Sequence, residues 1–90
     1  MFEEIERLTR ALCAEHGTSG CEDDVFKVAK KELGFCKEVR ENELGGVVGI
    51  FGDLSSKRRI LLDAHIDQIG MIVTDIDENG FLHVTNVGGV

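Results

Sequence analysis

The stretch Ile60-Leu61-Leu62-Asp63-Ala64-His65-Ile66-Asp67-Gln68-Ile69-Gly70 decides how this chain is read. Its three leading apolar residues follow Lys57-Arg58-Arg59. A continuous apolar run flanked by charge predicts a central strand buried on both faces. The run then presents His65 and, two residues on, Asp67. In sheet proteins ligands gather outside strand ends, where loops converge over a rigid scaffold. An imidazole there can bind a metal through one neutral ring nitrogen. A carboxylate beside it can hold the other nitrogen and fix the tautomer. The H-x-D spacing puts both side chains on one side of a strand that continues through Asp67. On spacing alone two readings stay open: a metal-binding pair, or a hydrogen-bonded histidine closing a strand. Asp63 reads as an ordinary strand-end carboxylate or as a group standing behind the site.

Upstream of this stretch the apolar period is helical. Ile5, Leu8 and Leu12 form the dry stripe of an amphipathic helix over residues 3–16, with Glu3, Glu4, Glu6, Arg7 and Arg10 on the wet face. Gly17 is a helix stop. Ser19 with Glu22 three residues later has the form of a capping box, predicting a second helix from there to Gly34, with Val25, Phe26, Ala29 and Leu33 on its apolar face. From Phe35 the period changes to two, which predicts a half-exposed strand to Asn42. Gly45-Gly46 marks a turn, Val47–Phe51 a second strand, and residues 52–57 a polar loop. Downstream, Met71-Ile72-Val73 begins a strand ending near Ile76. Asp77-Glu78-Asn79-Gly80 is a strong turn signal, and Phe81-Leu82-His83-Val84 pairs back as a hairpin. The fold class is therefore α/β: two N-terminal helices, then a mixed sheet. The chain stops at Val87-Gly88-Gly89-Val90 with several strand edges still to be paired, which reads as the first part of a longer fold.

Composition narrows the functions. Ten Lys and Arg against 17 Asp and Glu give a net charge of −7 over 90 residues. This argues against nucleic acid and anionic membranes as partners, since both need a basic surface. No apolar run approaches the ~20 residues of a membrane span. The acidic start, Met1-Phe2-Glu3-Glu4-Ile5-Glu6, is not a secretory leader. Three cysteines, Cys13, Cys21 and Cys36, are an odd number with no C-x-x-C pair, so a reduced, cytoplasmic setting fits better than a disulfide framework. A zinc site from Cys13, His16 and Cys21 matches no standard spacing, and the thiols read as structural. His16 reads as a helix-end cation and His83 as a surface residue of the hairpin. Lys27, Lys30 and Lys31 form a solvated helix face. Lys57-Arg58-Arg59 is a charged guard before an aggregation-prone strand. Gly88-Gly89 lacks the helix and Lys-Ser/Thr of a phosphate loop.

The string Leu62-Asp63-Ala64-His65-Ile66-Asp67-Gln68-Ile69-Gly70-Met71-Ile72-Val73, followed by Ile76-Asp77-Glu78-Asn79-Gly80-Phe81-Leu82 and Val87-Gly88-Gly89, resembles the M42 family of metallo-aminopeptidases. The family pattern runs A-H-x-D-E-I-G-x-x-V, then I-D-x-x-G-F, then a G-G pair. Gly17-Thr18-Ser19-Gly20-Cys21-Glu22 looks like its G-x-S-G-x-E turn, and Glu43-Leu44-Gly45-Gly46 like its D-x-x-G-N segment. The resemblance covers almost the whole chain. It implies that residues 1–69 are the N-terminal part of a zinc-aminopeptidase-like catalytic domain and that residues 70–90 begin an inserted β-rich domain. It implies that His65 is a ligand of one metal in a two-metal site, zinc or cobalt, with Asp67 as the catalytic carboxylate that orients it. It implies a peptide substrate and a homo-oligomer in the complete enzyme. Two departures stand out: Gln68 where the family has Glu, and Gly46 where it has Asn. By the same resemblance the remaining ligands and the basic glutamate lie downstream of the matched part, so the 90 residues alone are expected to be inactive. Two rival readings are a non-catalytic assembly module that keeps the scaffold and, by the family's older cellulase label, a glycan hydrolase. The latter needs two opposed carboxyl groups that the chain does not display.

Overall fold

The computed structural model describes residues 1–89, so Val90, the end of the expected β-rich portion, lies outside the described residues. The order is α1 (Phe2–Cys13), α2 (Asp23–Glu32), a single 3-10 turn (Leu33–Phe35), β1 (Glu38–Glu41), β2 (Val47–Ile50), β3 (Gly70–Ile76) and β4 (Leu82–Val87). Both helices carry acidic first turns, Glu3-Glu4 and Asp23-Asp24, and basic last turns, Arg10 and Lys30-Lys31, which complement the helix dipole. α1 ends at Cys13, earlier than the pattern predicts. His16 therefore sits beyond the helix end rather than within its last turn. α2 begins four residues after Ser19. Glu22 is its N-cap residue without a side-chain cap. Its carboxylate instead accepts the Gly20 N–H at 2.7 Å, bracing the turn rather than closing a capping box.

The helices lie against each other. The loop between them folds over the start of α2, where Val25 is the one buried apolar side chain among the described residues, at 3% exposure. Gly17 makes this possible: a Cβ there would stand 2.9 Å from Val25 Cγ1. The β1–β2 hairpin joins the helical layer through Gly49, whose absent side chain leaves room for Cys36 Sγ and Leu33.

The sheet is not the expected mixed one. The described residues form two separate two-stranded antiparallel sheets, β1–β2 and β3–β4, and one isolated parallel bridge between Thr18 and Gln68. The two hairpin turns are built alike. Asn42 Oδ1 accepts from Leu44 N–H (3.0 Å) and Gly46 N–H (2.7 Å), while Asp77 Oδ1 accepts from Asn79 N–H (2.9 Å) and Phe81 N–H (3.0 Å). Three residues after each, Gly45 and Gly80 take φ of +85° and +82°, the left-handed position such turns require. β3 and β4 pair in register from Gly70↔Val87 to Ile76↔Leu82, with a bulge at Thr74. The Thr74 hydroxyl donates to the His83 carbonyl at 3.1 Å and so occupies an acceptor in the irregular step.

The largest departure concerns Ile60-Leu61-Leu62. These residues form no strand and are 89%, 82% and 86% exposed. A strand buried on both faces needs a hydrogen-bonding neighbour and a layer above and below it. None of the described elements supplies either. Extent follows from the same arrangement: the molecule measures 63 × 32 × 20 Å, elongated because the β3–β4 hairpin packs mainly on itself.

Candidate metal-binding site

The segment after the apolar run is anchored where it leaves the run behind. Gln68 N–H donates to the Gly17 carbonyl at 2.8 Å, and the Gln68 carbonyl accepts from Ser19 N–H at 3.3 Å. Gly70 follows at a point where a Cβ would lie 2.7 Å from both Thr18 Cγ2 and Oγ1, so the chain passes close against the interhelical loop. This pins Asp67 one residue before the bridge.

Asp67 in turn engages His65. The His65 ring Nδ1 lies 3.0 Å from Asp67 Oδ1 and 3.1 Å from the Asp67 carbonyl oxygen. Both partners are acceptors, so this geometry selects the tautomer with the proton on Nδ1. Nε2 is then left with its lone pair, on a side chain that is 86% exposed. An imidazole held in this way through one nitrogen, with the other available, is the donor arrangement that a metal ligand needs.

The surroundings come from three places in the chain. A shallow depression of about 270 Å³ is lined by Ala64, His65, Ile66 and Asp67, by the β1–β2 turn at Asn42 and Leu44–Gly46, and by Glu22. Spacing arguments centred on residues 63–67 do not bring Glu22 or Asn42 here, since both lie at least 21 residues upstream of Asp63. The signal for each was local: Glu22 in a turn motif and Asn42 before a Gly-Gly pair. The structure also accounts for Gly46 at a position where asparagine was expected. A Cβ on Gly46 would stand 2.6 Å from Asn42 Nδ2, so the Asn42 amide already fills that space.

Other sequence candidates are not gathered. Among the described residues no three His, Cys, Asp or Glu side chains lie close enough together to hold a metal ion, and this includes Cys13, His16 and Cys21. His83 is exposed on β4, with Nε2 at 3.6 Å from Asp77 Oδ2. Lys30 reaches Glu41 at 2.6 Å, and both side chains are half exposed. No helix is long and apolar enough to cross a membrane among the described residues.

Comparison with known proteins places this geometry in context. The family model described as M42 glutamyl aminopeptidase matches residues 45–90. That span runs from the first hairpin turn through the His65–Asp67 pair to the second hairpin. A putative aminopeptidase of Acetivibrio thermocellus is 32% identical over 91 residues, covering 100% of this chain and 26% of the relative. The glutamyl aminopeptidase of Lactococcus lactis subsp. cremoris is 32% identical over 93 residues, covering 99% of this chain and 24% of the relative. The lysyl aminopeptidase of Pyrococcus furiosus is 40% identical over 53 residues, covering 59% of this chain and 15% of the relative. The chain thus spans about a quarter or less of the length of these relatives. With the matched span covering just over half of the chain and including the His65–Asp67 pair, the chain belongs to the M42 glutamyl aminopeptidase family.

Proposed function

We propose that this chain supplies part of the active site of a metal-dependent aminopeptidase acting on the N-termini of peptides, in a cytoplasmic setting and within a homo-oligomer. Residues 1–69 would belong to its catalytic domain and residues 70–90 to the start of an inserted β-rich domain. The reading is carried by one observation: His65 Nδ1 is engaged by Asp67, and Nε2 is left as an exposed acceptor. His65 would hold one of two divalent ions, zinc or cobalt. Bound in such a site, these ions supply a nucleophilic water and polarise the scissile carbonyl. Asp67 keeps the ring in one tautomer and one orientation. The Gln68–Gly17 hydrogen bond keeps Asp67 in place. The neutral Gln68 amide lowers the negative charge beside the pair.

Catalytic zinc sites ordinarily use three protein ligands, and His65 is the one histidine at the described depression. The 90-residue chain by itself is therefore expected to hydrolyse no aminopeptidase substrate when zinc or cobalt is added, and turnover would overturn this division of the site. The ligand role is tested by titrating the chain with Co²⁺ and following histidine ring signals by NMR. Broadening should reach His65 before His16 and His83 and should vanish from that position in His65→Ala. Equal broadening of the three rings would remove His65 as a ligand.

A second reading, an assembly module that keeps the scaffold without catalysis, is favoured by the exposure of Ile60-Leu61-Leu62. It predicts that cobalt leaves the His65 ring undisturbed.

A further inference from the structure

We propose that Glu22 is a positioning residue for the His65–Asp67 pair, an inference that rests on reading His65 as a metal ligand. Its place in the fold is unusual for its side chain. Glu22 occupies the N-cap of α2, where Ser, Thr, Asp and Asn serve best because their short side chains reach the free amides of the first turn. Glu22 makes no such cap bond. Its Oε1 turns back instead and accepts the Gly20 N–H at 2.7 Å. The same residue lines the depression beside Ala64, His65, Ile66 and Asp67, so the brace it forms stands at the site.

The amide that Glu22 holds is the central one of a tight turn. Cys21 N–H donates to the Thr18 carbonyl at 2.7 Å, and Gly20 takes the third place of the turn with φ +89°. A Cβ on Gly20 would meet nothing within 4 Å, so glycine serves there for its backbone angle and not for space. The peptide between the two central residues of a β-turn has two orientations, facing opposite ways in types I and II. A carboxylate bonded to its N–H selects one of them. This turn carries one arm of a clamp on Gln68, since Ser19 N–H donates to the Gln68 carbonyl at 3.3 Å. The other arm, Gln68 N–H to the Gly17 carbonyl at 2.8 Å, is fixed by the packing of Gly17 on buried Val25. The longer and weaker arm is thus the one that Glu22 braces. With both arms made, Gln68 cannot swivel, and the Asp67 carboxylate and carbonyl stay at His65 Nδ1. With the Ser19 arm released, the segment pivots on Gly17 and the ring loses its fixed partner.

Variants of the intact chain at position 22 test this, read by amide exchange, by His65 ring-nitrogen shifts at a pH where imidazole is neutral, and by cobalt titration. Glu22→Ala should speed exchange at Ser19 and Gly20 while the Gln68 amide stays protected by Gly17. It should turn the Nδ1-protonated form of His65 into a mixture of tautomers and weaken the cobalt contact about three- to tenfold, less than removal of the partner carboxylate itself. Glu22→Gln keeps an acceptor oxygen and should restore most of the parent behaviour. Glu22→Asp separates positioning from helix stability. Its shorter carboxylate is a good cap, so the stability of α2 should hold or rise, yet the turn should loosen and the tautomers mix as in Glu22→Ala. Unchanged His65 shifts in both Glu22→Ala and Glu22→Asp overturn the proposal. A Glu22→Gln chain that behaves as Glu22→Ala does also overturns it, because the ring would then respond to the charge and not to the hydrogen bond. The exchange and tautomer readings need no metal, so they decide the role of Glu22 even where cobalt fails to reach His65, a result that would overturn the ligand reading alone.

Discussion

Asp67 meets the His65 ring twice, through its carboxylate at 3.0 Å and through its own carbonyl oxygen at 3.1 Å, both at Nδ1. The tautomer is thus held by side chain and main chain together. The two contributions are separable because a substitution at position 67 removes one and keeps the other.

Asp67→Ala should leave the Nδ1 proton partly retained by the carbonyl while freeing the ring to turn. Nitrogen chemical shifts of His65 should then show a mixture of tautomers where the parent chain shows the Nδ1-protonated form. Cobalt contact at His65 should weaken by about 10–100-fold, the usual loss when the partner of a ligating histidine is removed. Asp67→Asn, which keeps an acceptor oxygen, should fall between the two. Unchanged shifts and cobalt response in Asp67→Ala would show that the carboxylate does not orient the ring.

Gly17→Ala drives a methyl group against Val25 Cγ1 at 2.9 Å, at the one buried apolar side chain among the described residues. The interhelical loop must move, and overpacking of this kind costs about 1–3 kcal/mol. Val25→Ala empties the same place from the other side and should cost about 2 kcal/mol. Urea midpoints measure both. Because the two residues touch, the double variant should be less destabilised than the sum of the singles.

Gly70→Ala sets a methyl group against Thr18 at 2.7 Å. It should part the chain from the interhelical loop at the Thr18–Gln68 bridge. Faster amide exchange at Gln68 and Ser19, with the β3–β4 amides beyond residue 72 unchanged, is the expected pattern. Equal acceleration throughout the hairpin would locate the damage elsewhere.

Arg7 joins the helices, donating to Glu32 through both terminal nitrogens at 2.9 Å and to Glu4 at 2.7 and 3.1 Å. Hydrogen bonding to Arg7 is the main cause that holds the carboxyls of Glu4 and Glu32 below the usual glutamate value. A carboxylate lowered on folding stabilises the fold above its unfolded value, and that contribution is lost as pH falls through the folded one. The α1–α2 contact should accordingly weaken below about pH 4.5, the ordinary glutamate value. Arg7→Gln should flatten this acid dependence and reduce stability slightly at neutral pH, since exposed pairs contribute little. Helical circular dichroism against pH for the two chains measures it.

Some elements follow from short-range rules. Asp77-Glu78-Asn79-Gly80 and Asn42-Glu43-Leu44-Gly45 each combine a side-chain acceptor with a glycine three residues on, and both become hairpin turns. Their conformations are set by atoms within five residues, so the sequence is sufficient. The helices are legible for the same reason, although their ends are not. Ser19 and Glu22 have the right spacing for a capping box, but Glu22 finds the Gly20 amide first and the helix begins later. The H-x-D pair is intermediate. Its spacing permits the contact, and the Gln68–Gly17 hydrogen bond, made across 51 positions of sequence, holds Asp67 in the place where the contact forms.

By itself, the sequence determined the helical stripes, the two glycine-containing turns and the hairpins they close, because each depends on neighbours a few bonds away. Tertiary structure alone decided that Glu22 and Asn42 border the histidine and that Ile60-Leu61-Leu62 lies exposed in this chain. An apolar run records a preference for burial, but burial needs a second surface, and the placement of other elements determines whether one is there.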